Sequence, residues 1–235
     1  MLKTFRIGGV HPPENKLSAS EPIRILPVPE QVIIPLSQHI GAPATPVVQK
    51  GDTVKAGQLI ANTTGFVSAN IHSSVSGTVV AIDNIIDAAG FSKPAITIKV
   101  EGDEWVSEID RSDKIESNSD LSKEDIVKAI AAAGIVGMGG ATFPTQVKLT
   151  PPPGTKADCV VINGVECEPY LTADHRLMLE KTDEVLVGIS LIMKAVGVTK
   201  AYVGIENNKP DAIALMQKHA ERFPGIEIVP LQVKY

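Results

Sequence analysis

Hydrophobic spacing divides the chain into stretches of different texture. Across residues 31–105 the apolar residues come in short runs, "VIIPL", "PVVQ", "QLIAN", "GTVVAI" and "AITIKV", separated by Gly, Asp and Asn turns. No segment there is long enough, or spaced closely enough to a helical period, to make an amphipathic helix. Short strands at close spacing predict a small all-β sandwich or barrel. From Asp120 the period changes. "LSKEDIVKAIAAAG" places Ser122 as N-cap with Asp125 three residues on and Gly134 to stop the helix. A buried strand over 158–164, "DCVVING", precedes a helix over 183–197, a strand over 200–207, a helix over 210–223 opened by proline and a strand over 225–233. Strand and helix alternating in this way predict a largely parallel sheet.

The expected organisation is therefore α/β plus all-β. Residues 1–30, rich in Pro and polar residues, form an extended arm; 31–105 form the β module; 106–119 are a polar linker; 120–235 form the α/β domain. Trp105 is expected to anchor the two modules to each other. A doubly wound domain seldom ends directly after a strand, so the chain is expected to be a piece of a longer protein, its α/β domain incomplete at the C-terminus.

Composition narrows the function classes. The formal net charge of −5 leaves no basic footprint for nucleic acid or for anionic lipid. No apolar run approaches the roughly 20 residues that a bilayer span needs, and "MLKTFRIGGVHPPENK" lacks the apolar stretch of a signal peptide. Two cysteines, Cys159 and Cys167, are too few for a disulfide scaffold or a four-thiolate metal site. A cytosolic protein with reduced thiols is expected. His11, His39, His72 and His219 show no metal-ligand spacing.

Within the β module, "GDTVKAGQLIA" (51–61) and "IHSSVSGTVVAI" (71–82) resemble the biotinyl/lipoyl carrier fold, whose hairpin tip presents a lysine for cofactor attachment. That position falls at or near Phe66, and no lysine occurs between Lys55 and Lys93. Without an amine there is nothing to acylate, so the module is expected to be a spacer or docking surface rather than a carrier.

Two loops carry the candidate chemistry. "GMGGATFPTQVK" (137–148) clusters glycines ahead of an aromatic ring and a lysine. A Walker loop needs Gly-Lys-Ser/Thr directly before a helix, and a dinucleotide fingerprint sits between a first strand and its helix; this loop satisfies neither requirement. A helix cap with a tight turn accounts for Gly134 and part of the cluster. Gly139, Gly140 and Ala141 together suit instead a flat anionic ligand lying on bare backbone, with Lys148 to neutralise a phosphate or a reduced ring. "NGVECEPYLTADHRLM" (163–178) begins where a strand ends, the place where ligands collect in open α/β sheets. Extended alternation would put Glu166 and Glu168 on one face and Cys167 on the other; a solvated acidic turn is the alternative. Asp174-His175-Arg176 reads as the polar first turn of a helix, since no nucleophile elbow accompanies it.

Taken together, "GGVHPPENK" (8–16), "IPLSQHIGAPATPVVQKGDTVKAGQLIA" (34–61), "GMGGATFPTQVK" and "NGVECEPYLTADHRLM" resemble the RnfC component of the Rnf-type electron transport complex. The second half is also similar, more distantly, to the flavoprotein subunit of respiratory complex I, which binds FMN and NADH through "GRGGAGFPTG" and "NADEGEPG" loops. The resemblance implies a lipoyl-like barrel-sandwich hybrid followed by a truncated FMN/NADH-binding α/β domain. It implies cofactor contacts at Gly137, Gly139, Gly140, Ala141, Phe143 and Lys148, with Pro144 and Thr145 completing the loop's exit. It implies further contacts at Asn163, Glu166 and Glu168, with Glu168 on the nicotinamide side. Met138 stands where the complex I loop has arginine, removing a charge, and Val165 where it has aspartate, removing an acceptor.

The implied function is an NADH-oxidising subunit of a membrane-bound, ion-translocating complex. It would be peripheral on the cytoplasmic face, held by the other subunits, and would pass electrons through FMN to iron–sulfur clusters. A cluster takes four thiolates, so [4Fe–4S] clusters are expected only in a part beyond Tyr235. The chain alone is expected to be inactive and to bind FMN weakly or not at all. Two rival readings stand beside this one. One is a protein similar to the NqrA component of the sodium-translocating NADH:quinone reductase; the other is a non-catalytic docking module with Phe66 in its contact patch.

Overall fold

Alternating β-branched residues build the first half of the protein, as the periodicity requires. In this computed structural model, which describes residues 3–4, 8–117, 119–138 and 140–234, the strands are β1 (Gln31–Pro35), β2 (Thr45–Pro46), β3 (Thr53–Val54), β4 (Leu59–Asn62), β5 (Ile71–His72), β6 (Gly77–Ile86) and β7 (Ser92–Val100). They form two antiparallel sheets, ordered β1-β7-β6-β3 and β2-β4-β5. Ile34, Leu36, Val54, Ile60, Val79, Ile96 and Ile98 fill the core. The β6–β7 ladder continues from Gly77↔Val100 out to Ile86↔Ser92, past the apolar run that announces it. Asp83 and Asn84 break the alternation there, while Asp87 Oδ1 closes the tip by accepting from the Ala89 and Phe91 N–H groups at 2.9 and 2.8 Å. Phe66, near the position of a carrier lysine, is 75% exposed.

Two helices belong to the same compact unit, which comprises Leu26–Asp113 and Glu124–Pro151. They are α1 (Lys123–Ala132) and the single turn α2 (Thr145–Lys148). The unit thus takes in the glycine-rich loop, and cuts across the linear order in which the sequence presents its segments. The reason is a set of polar bonds to the loop before β5. Asn70 Nδ2 donates to the Ala132 carbonyl at 3.2 Å, and Gln146 Nε2 to the Ser68 carbonyl at 2.9 Å. Trp105 lies in this unit, its Nε1–H on Asp103 Oδ1 at 2.7 Å and its ring 4.6 Å under the Arg111 guanidinium.

The second compact unit comprises Met1–Ile25, Lys114–Lys123 and Pro152–Tyr235. Its elements are β8 (Val160–Asn163), α3 (Ala173–Glu180), α4 (Thr182–Val196), β9 (Ala201–Glu206), α5 (Pro210–Ala220) and β10 (Ile226–Leu231). The strands are parallel throughout, in the order β10-β9-β8, as the strand–helix alternation predicts. Alternate residues Ala201, Val203, Ile205, Ile226 and Ile228 pack with Leu186, Ile189, Met193, Ala212 and Met216 of the helices. Helix α4 ends on Gly197 in the left-handed conformation, which leaves the Gly197 N–H on the Met193 carbonyl. Asp183 at the start of α4 pairs with His219 and Arg222 at the end of α5, tying the two helices together.

Candidate cofactor- and nucleotide-binding loops

The glycine-rich loop is closed at its base by backbone pairing. Val136 and Pro144 form an antiparallel bridge; Gly137 N–H donates to Phe143 O at 3.0 Å, and Thr145 N–H to Ile135 O at 3.0 Å. Pro144 is buried. The excursion between them carries Met138, 91% exposed, and Gly140, beside which a side chain would find open space. Gly139 lies outside the described residues. Thr142 sits at φ +49, a left-handed conformation that non-glycine residues adopt at a cost of about 1 kcal/mol or more.

The Lys148 side chain lies over one of the glycines. Its Nζ lies 2.8 Å from where a Cβ on Gly137 would stand, and 6.0 Å from the centroid of the Phe143 ring. The residue is exposed, and among the described residues no carboxylate lies within ion-pair distance of it. A bare stretch of backbone, an aromatic edge and an uncompensated ammonium are thus held together by one closed loop. Residues of this kind would suit the phosphate or the reduced ring of a flavin mononucleotide: Gly140 would leave room for a plane, and Lys148 would supply the counter-charge.

The acidic loop lies in the other unit and is built differently. Asn163, at the carboxyl end of β8, accepts the Val165 N–H on Oδ1 at 3.1 Å, and Gly164 N–H donates to Gly204 O at 2.9 Å. The extended alternation expected over 166–168 is not formed, because Glu166 turns the chain at φ +48. Its carboxylate accepts from the Asp174 and His175 N–H groups at 2.6 and 3.3 Å. It thereby serves as the cap of α3, which has no capping bond from Thr172. Glu168 and Cys167 are exposed. Of the three expected contacts in this loop, Asn163 and Glu168 present side chains outward, while Glu166 spends its carboxylate on the helix.

Two lysines that the sequence did not mark as site residues hold the loop from beneath. Lys16 Nζ donates to the carbonyls of Glu166, Glu168 and Leu171 at 2.8, 2.9 and 2.7 Å. Lys209 Nζ donates to Val165 O at 2.7 Å and to Asn208 Oδ1 at 3.0 Å, and lies 3.8 Å from Glu206 Oε2. Lys209 and Glu206 are both 2% exposed. Burial pushes the Glu206 carboxyl up and the Lys209 ammonium down, each opposed by the other's charge. Burial likewise raises Asp174, with the Glu166 carboxylate adding to it. The signal available in the sequence was "ENNKPD" at the end of a central strand, where a charged pair is out of place unless it bonds to something.

The polar first turn of α3 forms where "ADHR" predicts it. His175 Nε2 bonds to Asp211 Oδ1 at 2.8 Å, and Arg176 bonds to Glu180 at 2.7 Å and to the Ala19 carbonyl at 3.1 Å. Burial would raise Asp211, but the His175 bond and the Ala212 N–H outweigh it and hold the carboxyl below its usual range.

Comparison with known proteins matches residues 3–103 to the RnfC barrel sandwich hybrid domain and residues 130–235 to the Nuo51 FMN-binding domain. The chain is 54% identical over 238 residues to the C component of the proton-translocating ferredoxin:NAD(+) oxidoreductase complex of Clostridium ljungdahlii, covering 100% of this chain and 51% of that protein. It is 48% identical to the Na(+)-translocating counterpart from Acetobacterium woodii, covering 99% and 52%. With the C component of the ion-translocating oxidoreductase complex of Rhodobacter capsulatus it shares 44% identity, covering 98% and 45%. The chain therefore spans about half the length of the curated relatives it matches. Its two compact units, one of paired antiparallel sheets and one built on a parallel sheet, agree in kind with the two matched domains. Over nearly its whole length the chain is therefore similar to the C components of ion-translocating oxidoreductase complexes, with an RnfC barrel sandwich hybrid domain followed by an FMN-binding domain match.

Proposed function

We propose that this protein carries FMN on its glycine-rich loop and exchanges electrons with NAD(H), as part of a membrane-associated, ion-translocating complex. Bound FMN would supply the exchange between a two-electron hydride carrier and one-electron iron–sulfur centres. The single observation that carries the reading is the Lys148 ammonium, exposed and without a carboxylate partner among the described residues, beside the bare backbone of Gly137. Gly137, Gly139, Gly140 and Ala141 would offer backbone to the ring or its phosphate, Phe143 would border it, and Lys148 would neutralise it. Asn163 and Glu168, in the other unit, would offer an amide and a carboxylate to NAD(H), while Glu166 holds the helix that follows. NAD(+) appears in the names of the Clostridium and Acetobacterium relatives. No helix among the described residues is long and apolar enough to cross a membrane, and the other subunits would hold this one at the cytoplasmic face. The clusters that accept the electrons would belong to the remainder of the full protein or to those subunits.

The test is an equilibrium FMN titration of the full protein, followed by flavin fluorescence, in wild type, Lys148→Met and Gly140→Val. Both variants should weaken FMN binding by about tenfold or more, the loss expected for one charge-assisted contact or one blocked surface, with melting temperatures unchanged. Equal affinity in all three proteins would remove the glycine-rich loop from the flavin site.

A further inference from the structure

Lys16 stands far from the acidic loop in sequence, yet its ammonium is consumed by it. A lysine ammonium has three N–H donors, and all three are taken by the carbonyls of Glu166, Glu168 and Leu171. Charge-assisted bonds of this kind are roughly twice as strong as neutral ones. The segment that delivers Lys16 is itself fixed on both sides. Tyr170 N–H donates to Glu14 O at 2.9 Å, Ser18 Oγ meets Thr172 Oγ1 at 2.7 Å, and Arg176 donates to Ala19 O at 3.1 Å. Asn15 turns the chain at φ +46 immediately before the lysine, and the Leu17 N–H closes that turn on Asn15 O.

The consequence is directional. The carbonyls of Val165, Glu166, Glu168 and Leu171 are drawn to the two ammonium groups and so are not available to a ligand. The N–H groups of Glu166, Cys167 and Glu168 take part in no hydrogen bond among the described residues, and Glu168 is exposed. We propose that Lys16 is a positioning residue for nucleotide recognition. It touches no nucleotide itself but sets the conformation in which the loop presents the Glu168 carboxylate to the amide- and hydroxyl-bearing part of NAD(H). The inference rests on the function proposed above and adds to it a residue from the N-terminal arm.

The test uses the full protein with Lys16→Met and Lys16→Arg, read by two independent measurements. Hydrogen exchange of the peptide spanning 163–178 reports the loop, because the Tyr170, Asp174 and His175 amides are bonded there. Steady-state kinetics with NADH and an artificial acceptor report recognition. Lys16→Met should accelerate exchange in that peptide by about tenfold, since it removes the bonds that hold the segment closed. It should also raise KM for NADH by about tenfold while kcat stays within about threefold, the pattern of lost binding rather than lost chemistry. Lys16→Arg, which keeps the charge but cannot reproduce three converging bonds, should fall between. Unchanged exchange in Lys16→Met overturns the clamp. Faster exchange with an unchanged KM overturns the positioning role while leaving the clamp. A wild type without FMN or NADH turnover would instead sink the proposed function, and the exchange experiment would still decide whether Lys16 holds the loop. Should Lys16→Met not fold, the KM of Lys16→Arg decides alone, an unchanged value counting against the proposal.

Discussion

The backbone carbonyl of Asn70 occupies the space that a Cβ on Gly134 would need. Gly134 ends α1 at φ +66, and the Asn70 side chain caps the same helix through the Ala132 carbonyl. One asparagine of the β module therefore fixes where the glycine-rich loop begins.

Gly134→Ala should destabilise this unit by about 3 kcal/mol, combining a left-handed conformation closed to alanine with a backbone collision that must be relieved by displacement. Trp105 is the single tryptophan and lies in the same unit, so its fluorescence during urea unfolding measures the loss. A change below about 0.5 kcal/mol, the range of ordinary surface substitutions, would mean that α1 does not rest on Asn70.

Lys209 and Glu206 form a buried pair whose charges are each disfavoured by burial and sustained by the partner. Removing one charge strands the other, so Lys209→Met should cost about 3–5 kcal/mol. The double variant Lys209→Met/Glu206→Gln should recover a large part of that loss, because no buried charge remains. Chemical denaturation of the four proteins in a double-mutant cycle measures the coupling. Strictly additive effects would show that the two groups do not sense each other.

Much of this architecture was legible in the sequence, and the omissions have physical causes. The core strands and helices followed from period alone: Val203 and Ile205 alternate, and Pro210 and Gly197 mark helix ends. The outer half of the β6–β7 hairpin did not, because Asp83 and Asn84 face water on a ribbon whose pairing is purely backbone. The glycine-rich loop stood out through its composition, whereas its support by Ser68 and Asn70 depends on contacts between segments distant along the chain. Glu166 was visible as a carboxylate beside a strand end, but a positive φ cannot be read from a glutamate, so its use as a helix cap was hidden. Lys16 was hidden more deeply, since nothing local distinguishes a lysine that binds three remote carbonyls from one that binds water.

The arm should respond to acid at one identifiable place. The Ile23 N–H donates to both oxygens of Glu180 at 2.9 and 3.2 Å, and this bond, with Arg176, holds the Glu180 carboxyl below its usual range. A carboxyl lowered by folding contributes its stabilisation fully above the ordinary glutamate value of about 4.3 and loses it as pH falls through the lower folded value. The Ile23 amide resonance should therefore titrate at a pH below about 4.3 and remain flat from there to neutrality, and Glu180→Gln should abolish the titration. A midpoint at or above the ordinary value would mean that Ile23 does not hold Glu180 in solution.

Glu166 and Glu168 are near neighbours of one residue type, and the structure gives them different work. Glu166→Ala removes the acceptor for two N–H groups at the start of α3, a loss of about 1–2 kcal/mol typical of a deleted cap. Glu168→Ala removes an exposed carboxylate and should leave stability within about 0.5 kcal/mol. If the acidic loop meets NAD(H), the order reverses in kinetics. Glu168→Ala raises KM for NADH at unchanged melting temperature, whereas Glu166→Ala lowers the melting temperature first and alters KM only as far as the loop loosens. Thermal denaturation and NADH kinetics on the two variants separate the roles. A destabilised Glu168→Ala beside an unaffected Glu166→Ala would exchange the assignments and remove the helix cap from Glu166.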